Sequence, residues 1–313
     1  MENMKPAILI HGPTASGKTA LSVALAKQLD GEVVNADSMQ VYADLRIISA
    51  RPATDEMEGT PHHLFGHIAG RERYSTGRWL EDAAAIIADI ERRGKTPIII
   101  GGTGLYHMAL IEGLSDIPPV PEDVRSEVFA IKRSEGAAGL YQRLMKHDRE
   151  TAERLGPNDG QRLSRALEVF FATGQSISTF QGNRSRPTLE EGRWLGVALT
   201  PPRARLYAKI DRRFEGMLMQ GAMEEARALL AQNLAPDLPA MKAHGVPGLI
   251  AYLKGEMTAE AAAENAKRDT RRYAKRQFTW IGRQFPFWPR IPSLKTEDRL
   301  RVILSLYREV DGL

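Results

Sequence analysis

Residues 8–25 read ILIHGPTASGKTALSVAL, and this stretch decides the fold. Three apolar residues, Ile8, Leu9 and Ile10, run toward Gly12; after four intervening residues come Gly17, Lys18 and Thr19. An apolar strand, the spacing G-x-x-x-x-G-K-[ST] and then a helix build a phosphate cradle. Backbone N–H groups of the glycine turn and of the first helical turn converge on an anion, the lysine adds a point charge, and the threonine hydroxyl is placed to meet Mg²⁺. Gly12, Pro13, Thr14, Ala15, Ser16, Gly17, Lys18 and Thr19 are therefore the candidate phosphate-binding residues, with Thr19 the candidate metal ligand. Thr14 is either a second donor or a residue that fits the turn, and Ser16 reads as a small loop residue. The motif does not say whether the anion is a nucleoside triphosphate or another diphosphate.

Working outward, the first third alternates short apolar runs with helical patterns. Residues 7–10 and 32–36 read as strands, 20–29 and 79–92 as helices, and TPIIIGGTG (residues 96–104) as a buried strand entering a second glycine turn. Such alternation predicts an α/β fold, a P-loop NTPase-like parallel sheet with helices on both faces. In such sheets the working loops sit at the carboxyl ends of the strands. That puts residues 12–19, 37–42 and 101–106 on one rim. Three prolines in SDIPPVPEDV (residues 115–124) end this pattern. From residue 122 to about 179 only helical patterns follow, with turns at Gly136 and at GPND (residues 156–159). Residues 194–199 return as a strand, and helices are expected over 204–219, 222–230, 258–278 and 299–310. The organisation predicted is a core in two parts, 1–115 and 186–313, interrupted by an all-helical insertion at 116–185.

The 313 residues are 42% hydrophobic and 26% charged, the range of a soluble globular chain. No run approaches the ~18 apolar residues of a membrane span, and the N-terminus shows no signal-peptide core. With no cysteine, disulfide and thiol chemistry are excluded, and a cytoplasmic protein is expected. The net charge of +4 says little, but its distribution says more. Between residues 267 and 290 stand Lys267, Arg268, Arg271, Arg272, Lys275, Arg276, Arg283 and Arg290 against one acid, Asp269. Tyr273, Phe278, Trp280, Phe285, Phe287 and Trp288 are interleaved with them. Either a nucleic-acid backbone selects this pattern, or it is a solvated helix face over an aromatic core.

A P-loop kinase needs an acid at the end of an apolar strand to hold its metal's water. Residues 97–100 end instead in Gly101, Gly102 and Thr103, with no carboxylate. The acid stands at the end of the second strand, in Asp37-Ser38-Met39-Gln40-Val41-Tyr42. Asp37 is either a base among neutral hydrogen-bond partners, suited to an adenine edge and its exocyclic amine, or a cap of the next turn. Gly101-Gly102-Thr103-Gly104 is a small-residue turn where a substrate can approach the backbone.

Taken in order, GPTASGKT, DSMQVY, GGTGLY, GPNDGQRLSRALEV and TRRYAKRQFTWIGRQF resemble the tRNA dimethylallyltransferase family, over nearly the whole chain from about residue 7 to 288. The first motif is widespread and the other four are restrictive. The resemblance implies that the P-loop holds dimethylallyl diphosphate rather than ATP, and that a prenyl group goes to N6 of the adenosine 3′ of the anticodon. It implies Asp37 as the general base, with Ser38, Met39 and Gln40 in the adenine-recognition segment. Lys18 and Thr19 fall at the diphosphate and Mg²⁺ positions, Thr103 near the leaving oxygen, and Arg213, in AKIDRRFEGM, at an arginine that reaches the diphosphate. Arg125, Gln161, Arg162, Leu163, Ser164 and Arg165 of the insertion, with Lys275, Arg276 and Gln277, fall in segments that face the anticodon stem-loop of tRNA. A monomer is the family expectation.

Two departures accompany the match. Gly156 stands where many relatives have histidine, and HGVPGLI (residues 244–250) replaces a Gly-Tyr motif, which removes the basis for a base contact there. Prenyl transfer to free adenine nucleotides is a rival reading, as are a small-molecule P-loop kinase and an ATP-gated RNA-binding module. The helical insertion and basic C-terminal stretch argue against the first, and the missing acid after Ile100 against the second. His62, His63 and His67 lack cysteine or acid at ligand spacing and read as a packed turn, not zinc. Met217 and Met219 read as core filler and residues 299–310 as a docking helix.

Overall fold

The computed structural model describes residues 5–312. The apolar run before the glycine loop forms β1 (Ala7–His11), every residue of it buried. It is followed by α1 (Lys18–Leu29), β2 (Gly31–Asn35), β3 (His62–His63), α2 (Thr76–Arg92), β4 (Thr96–Gly101) and α3 (Gly104–Glu112). After the insertion come β5 (Trp194–Leu199) and β6 (Arg290–Ile291). The strands form one sheet in the order β3-β2-β4-β1-β5-β6, all neighbours parallel. β1 lies between β4 and β5, with Ile8 opposite Ile98 on one side and Leu195 on the other.

A parallel sheet must be covered on both faces, and the side-chain alternation of these strands does that. Ile8, Ile10, Ile98, Ile100 and Val197 point into one core layer, closed by Leu21 and Leu25 of α1 and by Ile303 and Tyr307 near the C-terminus. Leu9, Val34, Ile99 and Ala198 point into the other, closed by Trp79, Ile87 and Ile90 of α2 and by Tyr106 and Leu110 of α3. β3 and β6 are two residues each, too short for any periodicity to show. The predicted turn at His62 and His63 is therefore corrected to an edge strand, in which His63 Nε2 lies 2.8 Å from Glu32 Oε2. Among the described residues no group of three or more His, Cys, Asp or Glu could hold a metal.

The chain divides into two compact units, Glu112–Pro187 and the remainder. The first holds α4 (Glu122–His147), α5 (Arg149–Leu155), α6 (Gly160–Thr173) and α7 (Ile177–Phe180) around a core of Val128, Leu140, Leu144, Leu163 and Leu167. α4 is broken at Gly136, where φ is +67°. Asp159 caps α6 by accepting from the Arg162 N–H. The unit begins before residue 116 and ends after 185 because its two ends pair: Ser185 N–H donates to the Leu114 carbonyl at 2.8 Å, and Ser115 bridges Arg184.

The larger unit continues with α8 (Arg203–Met219), α9 (Ala222–Ala231), α10 (Val246–Leu253), α11 (Ala259–Gln284) and α12 (Thr296–Asp311). Met217 is buried in the core, as read, but Met219 is corrected to a surface residue, 85% exposed at the last position of α8. Among the described residues no helix is long and apolar enough to cross a membrane.

Candidate active site

The glycine loop leaves β1 and turns into α1 through Ala15 (φ +63°) and Gly17 (φ +89°), the left-handed backbone that lets successive N–H groups point one way. Lys18 is half-buried, and its ammonium donates to the carbonyls of Gly12 (2.8 Å) and Pro13 (3.1 Å). Burial brings its pKa down to about 8, with the nearby Asp37 charge opposing the shift and Arg213, Arg299 and Lys209 adding to it. Arg213, on α8, donates to Thr14 Oγ1 at 2.5 Å. Burial pushes the Arg213 guanidinium down to about 10, again against Asp37, so it stays charged at neutral pH. Thr14 is thus held by an arginine, and its hydroxyl does more than fit the turn.

Asp37 is brought to this loop by the sheet. Gly101, ending β4, lies so close to Ala36, the residue after β2, that a Cβ on it would stand 1.9 Å from the Ala36 carbonyl oxygen. The Thr103 N–H donates to that carbonyl at 3.1 Å. The two strand ends therefore lock together, and Thr103 Oγ1 accepts from the Ser38 N–H (3.0 Å) and reaches Ser38 Oγ (3.2 Å). Asp37 itself sits in an Asx turn: Oδ1 accepts from the Met39 N–H at 2.9 Å, and the Asp37 N–H donates to Asn35 Oδ1 at 2.8 Å. The Asn35 carbonyl in turn accepts from Trp79 Nε1, whose ring stacks on Tyr106 at 4.0 Å. The Gln40 amide donates to the carbonyls of Ser49 and Ala50.

The two loops and α8 meet in one cleft. Thr14, Asp37 and Arg213 stand at its polar end; Ile48, Ile210, Phe214, Met217 and Ala243 form an apolar wall; Tyr273 and His244 complete it. A charged end beside an apolar wall suits a ligand with a phosphorylated head and a short hydrocarbon tail. Burial raises the Tyr273 pKa, Asp37 adding to the shift while Thr103 and Gln277 oppose it, so its phenol stays protonated. His244 packs on Tyr273 at 4.7 Å between ring centroids, and burial lowers its pKa. The divergent segment at residues 244–250 thus does reach the cleft, through a histidine that sequence reasoning passed over.

The residues present fit a Mg²⁺ ion. Thr19 is the second residue of α1, beside the cradle, and its hydroxyl has no hydrogen-bond partner among the described residues. One hydroxyl and no carboxylate cluster suit a hard cation whose other ligands are phosphate oxygens and water.

The basic stretch resolves into three roles. Gln277 is 3% exposed and bridges two loops: Oε1 accepts from the Thr14 N–H and Nε2 donates to the Gly102 carbonyl, both at 2.9 Å. Its expected place on an RNA-facing surface is corrected to that of an internal tether. Arg290 donates to the carbonyls of Ile281 and Phe285 and so caps α11. Lys267, Arg268, Arg271 and Arg272 meet Glu215, Glu264, Asp211 and Asp269, whereas Lys275 and Arg276 are exposed and make no ion pair among the described residues. Of the interleaved aromatics, Phe285 and Trp288 stack on each other in the core, and only Phe287, 94% exposed, lies open.

In the insertion, Gln161 and Arg162 are exposed, while Arg125 and Arg165 both approach Glu168, at 3.9 and 3.6 Å. Leu163 is corrected to a core residue, fully buried, and Ser164 donates to the Gly160 carbonyl inside α6.

Comparison with known proteins now decides the family. The profile described as IPP transferase matches residues 40–284, and that described as isopentenyl transferase matches residues 5–65, which include the glycine loop and Asp37. The tRNA dimethylallyltransferase of Hyphomonas neptunium is 66% identical over 98% of both chains. The chain belongs to the tRNA dimethylallyltransferase family. Another member, from Maricaulis maris, is 47% identical over 99% of this chain and all of its own. Among solved structures, the full-length tRNA isopentenylpyrophosphate transferase of Bacillus halodurans superposes with a TM-score of 0.70 at 35% identity, covering 98% of this chain and 97% of that one. A eukaryotic dimethylallyltransferase acting on tRNA superposes with a TM-score of 0.72 at 34% identity, over 88% of this chain and 70% of its own.

Proposed function

We propose that the protein transfers the dimethylallyl group of dimethylallyl diphosphate to N6 of the adenosine 3′ of the anticodon in tRNA. The observation that carries this reading is the single cleft in which Asp37 stands with Arg213 and Thr14 at one end and an apolar wall extends from them. The diphosphate sits on the N–H groups of Ala15, Gly17, Lys18 and Thr19, and the five-carbon tail lies along Phe214, Met217 and Ile48. The target base is turned out of its stack to reach Asp37. The bond from the allylic carbon to the diphosphate oxygen breaks, the bond from that carbon to N6 forms, and the N6 proton passes to the Asp37 carboxylate. Negative charge grows on the departing oxygen, where Lys18 and Arg213 act by fixed electrostatic attraction. Mg²⁺ on Thr19, when bound, supplies further charge to the phosphate oxygens. Amine nitrogen of adenine is a weak nucleophile, so the placement of Asp37 by its Asx turn matters more than its basicity. Exposed Lys275, Arg276, Gln161 and Arg162 are the first candidates for the RNA backbone.

The test is label transfer. The protein, Mg²⁺ and labelled dimethylallyl diphosphate are mixed with an anticodon stem-loop carrying adenosine at that position. Label in the RNA that disappears when the one adenosine is replaced is the expected result. Transfer to free AMP instead would move the assignment to nucleotide prenylation, and consumption of ATP to a kinase.

A further inference from the structure

Arg299, in the first turn of α12, comes from the far end of the chain to the outside of the glycine loop. It is 1% exposed, unusual for any arginine without a carboxylate. Its Nη1 donates to the Ser16 carbonyl at 2.6 Å and its Nε to the Ser293 carbonyl at 2.6 Å, while Nη2 is buried with no partner. It makes no ion pair among the described residues. Ser16 Oγ, in the same turn, is also buried and unpartnered.

A charge buried with no counter-ion is strongly disfavoured, so a protein that keeps one has a use for its field. Around Gly17, Arg299 Nη1 and Lys209 Nζ would stand 3.1 and 3.9 Å from an added Cβ. Arg299 depresses the pKa of both Lys18 and Lys209, so its charge is felt inside the cradle. Four cations, Lys18, Lys209, Arg213 and Arg299, thus converge on one loop that has Asp37 as the carboxylate acting on it. The anion that balances them is the one the loop is shaped to hold.

We propose that Arg299 is a positioning residue for the diphosphate: it fixes the Ser16 carbonyl outward, so that the following N–H groups face the cradle, and lends the bound anion its otherwise unbalanced charge. This rests on the assignment of a diphosphate to the loop. It adds a residue from the C-terminal helix to a site otherwise built from α1, α8 and the strand ends.

The experiment titrates inorganic pyrophosphate into native protein, Arg299→Gln and Arg299→Lys by calorimetry, and measures kinetics in parallel. Expected for Arg299→Gln is a loss of about tenfold or more in pyrophosphate affinity, of the size a charge-assisted contact carries. The rise should appear in KM for dimethylallyl diphosphate and not in KM for RNA, with Arg299→Lys recovering part of it. Native affinity for pyrophosphate in Arg299→Gln, whatever its thermal stability, overturns the proposal. If native protein itself fails to bind pyrophosphate, the assignment of the loop falls instead. Should the Gln variant not fold, hydrogen exchange on native protein decides. Pyrophosphate is expected to slow exchange at residues 296–300 together with the loop, and protection of the loop alone would count against Arg299.

Discussion

The surroundings of the glycine loop and the helical insertion treat their basic side chains in opposite ways. Around the glycine loop, Lys18 and Arg213 are half-buried and share Asp37 as the carboxylate that acts on both. In the insertion, Arg125 and Arg165 share Glu168, and Arg162 lies 3.5 Å from Asp159. Half-buried cations short of counter-ions hold a field in place for an anion that arrives later, and that field strengthens as the ligand displaces water. Surface arginines matched with carboxylates are stable without a ligand, and any RNA must displace an existing partner to use them. The first arrangement suits bond breaking; the second suits reversible docking.

This contrast can be broken most sharply at Asp37. Asp37→Ala should lower kcat by about 10²–10⁴-fold, the usual yield of a positioned base, with RNA affinity retained. Near-native turnover would show that the carboxylate only shapes the turn. Arg213→Ala should lower kcat/KM for dimethylallyl diphosphate by about 10²–10³-fold, read in steady-state kinetics at saturating RNA. An effect confined to RNA binding would remove Arg213 from the cradle. Lys18 gives a pH test. Its pKa is lowered to about 8, so the ammonium is present below that pH and lost above it. Pyrophosphate affinity of the free protein should therefore fall as pH rises through about 8, by up to about tenfold per unit, while proton uptake accompanies binding there. A flat calorimetric profile from pH 7 to 10 would contradict that. The smallest effect belongs to the insertion: Glu168→Gln releases Arg125 and Arg165, and anticodon stem-loop affinity should rise a few-fold with a steeper salt dependence. If affinity drops, the carboxylate orients those arginines for RNA instead of competing with it.

Much of the larger unit was legible because its longer strands are continuous apolar runs, and the two that lead into glycine, β1 and β4, each open onto a working loop. The strands at residues 7–10, 97–100 and 194–199 needed only a residue or two of adjustment. β3 and β6 were not legible, since two residues carry no period and owe their pairing to the strand already beside them. Within the site, Asp37 and Lys18 lie in motifs, whereas Gln277 and Arg299 act across 263 and 283 residues of sequence. Gln277 stood in a basic run and so read as surface; the spacing of α11 turns it inward, with Ala274 and Ile281 of the same helix. Arg299 had no local signal at all, because an arginine in the first turn of an amphipathic helix usually faces water. His244 could have been found by taking the divergence at residues 244–250 as a substitution within the cleft.

The hold of the loop on its anion has a consequence for turnover. The diphosphate is the part of the substrate that survives the reaction, and it leaves as inorganic pyrophosphate with one more ionisable oxygen than it had as an ester. Side chains that draw the leaving group away from carbon, Lys18 and Arg213 above all, grip the product at least as firmly as the substrate. Accumulating pyrophosphate is then expected to inhibit by rebinding, and added pyrophosphatase should relieve that inhibition by removing the free product.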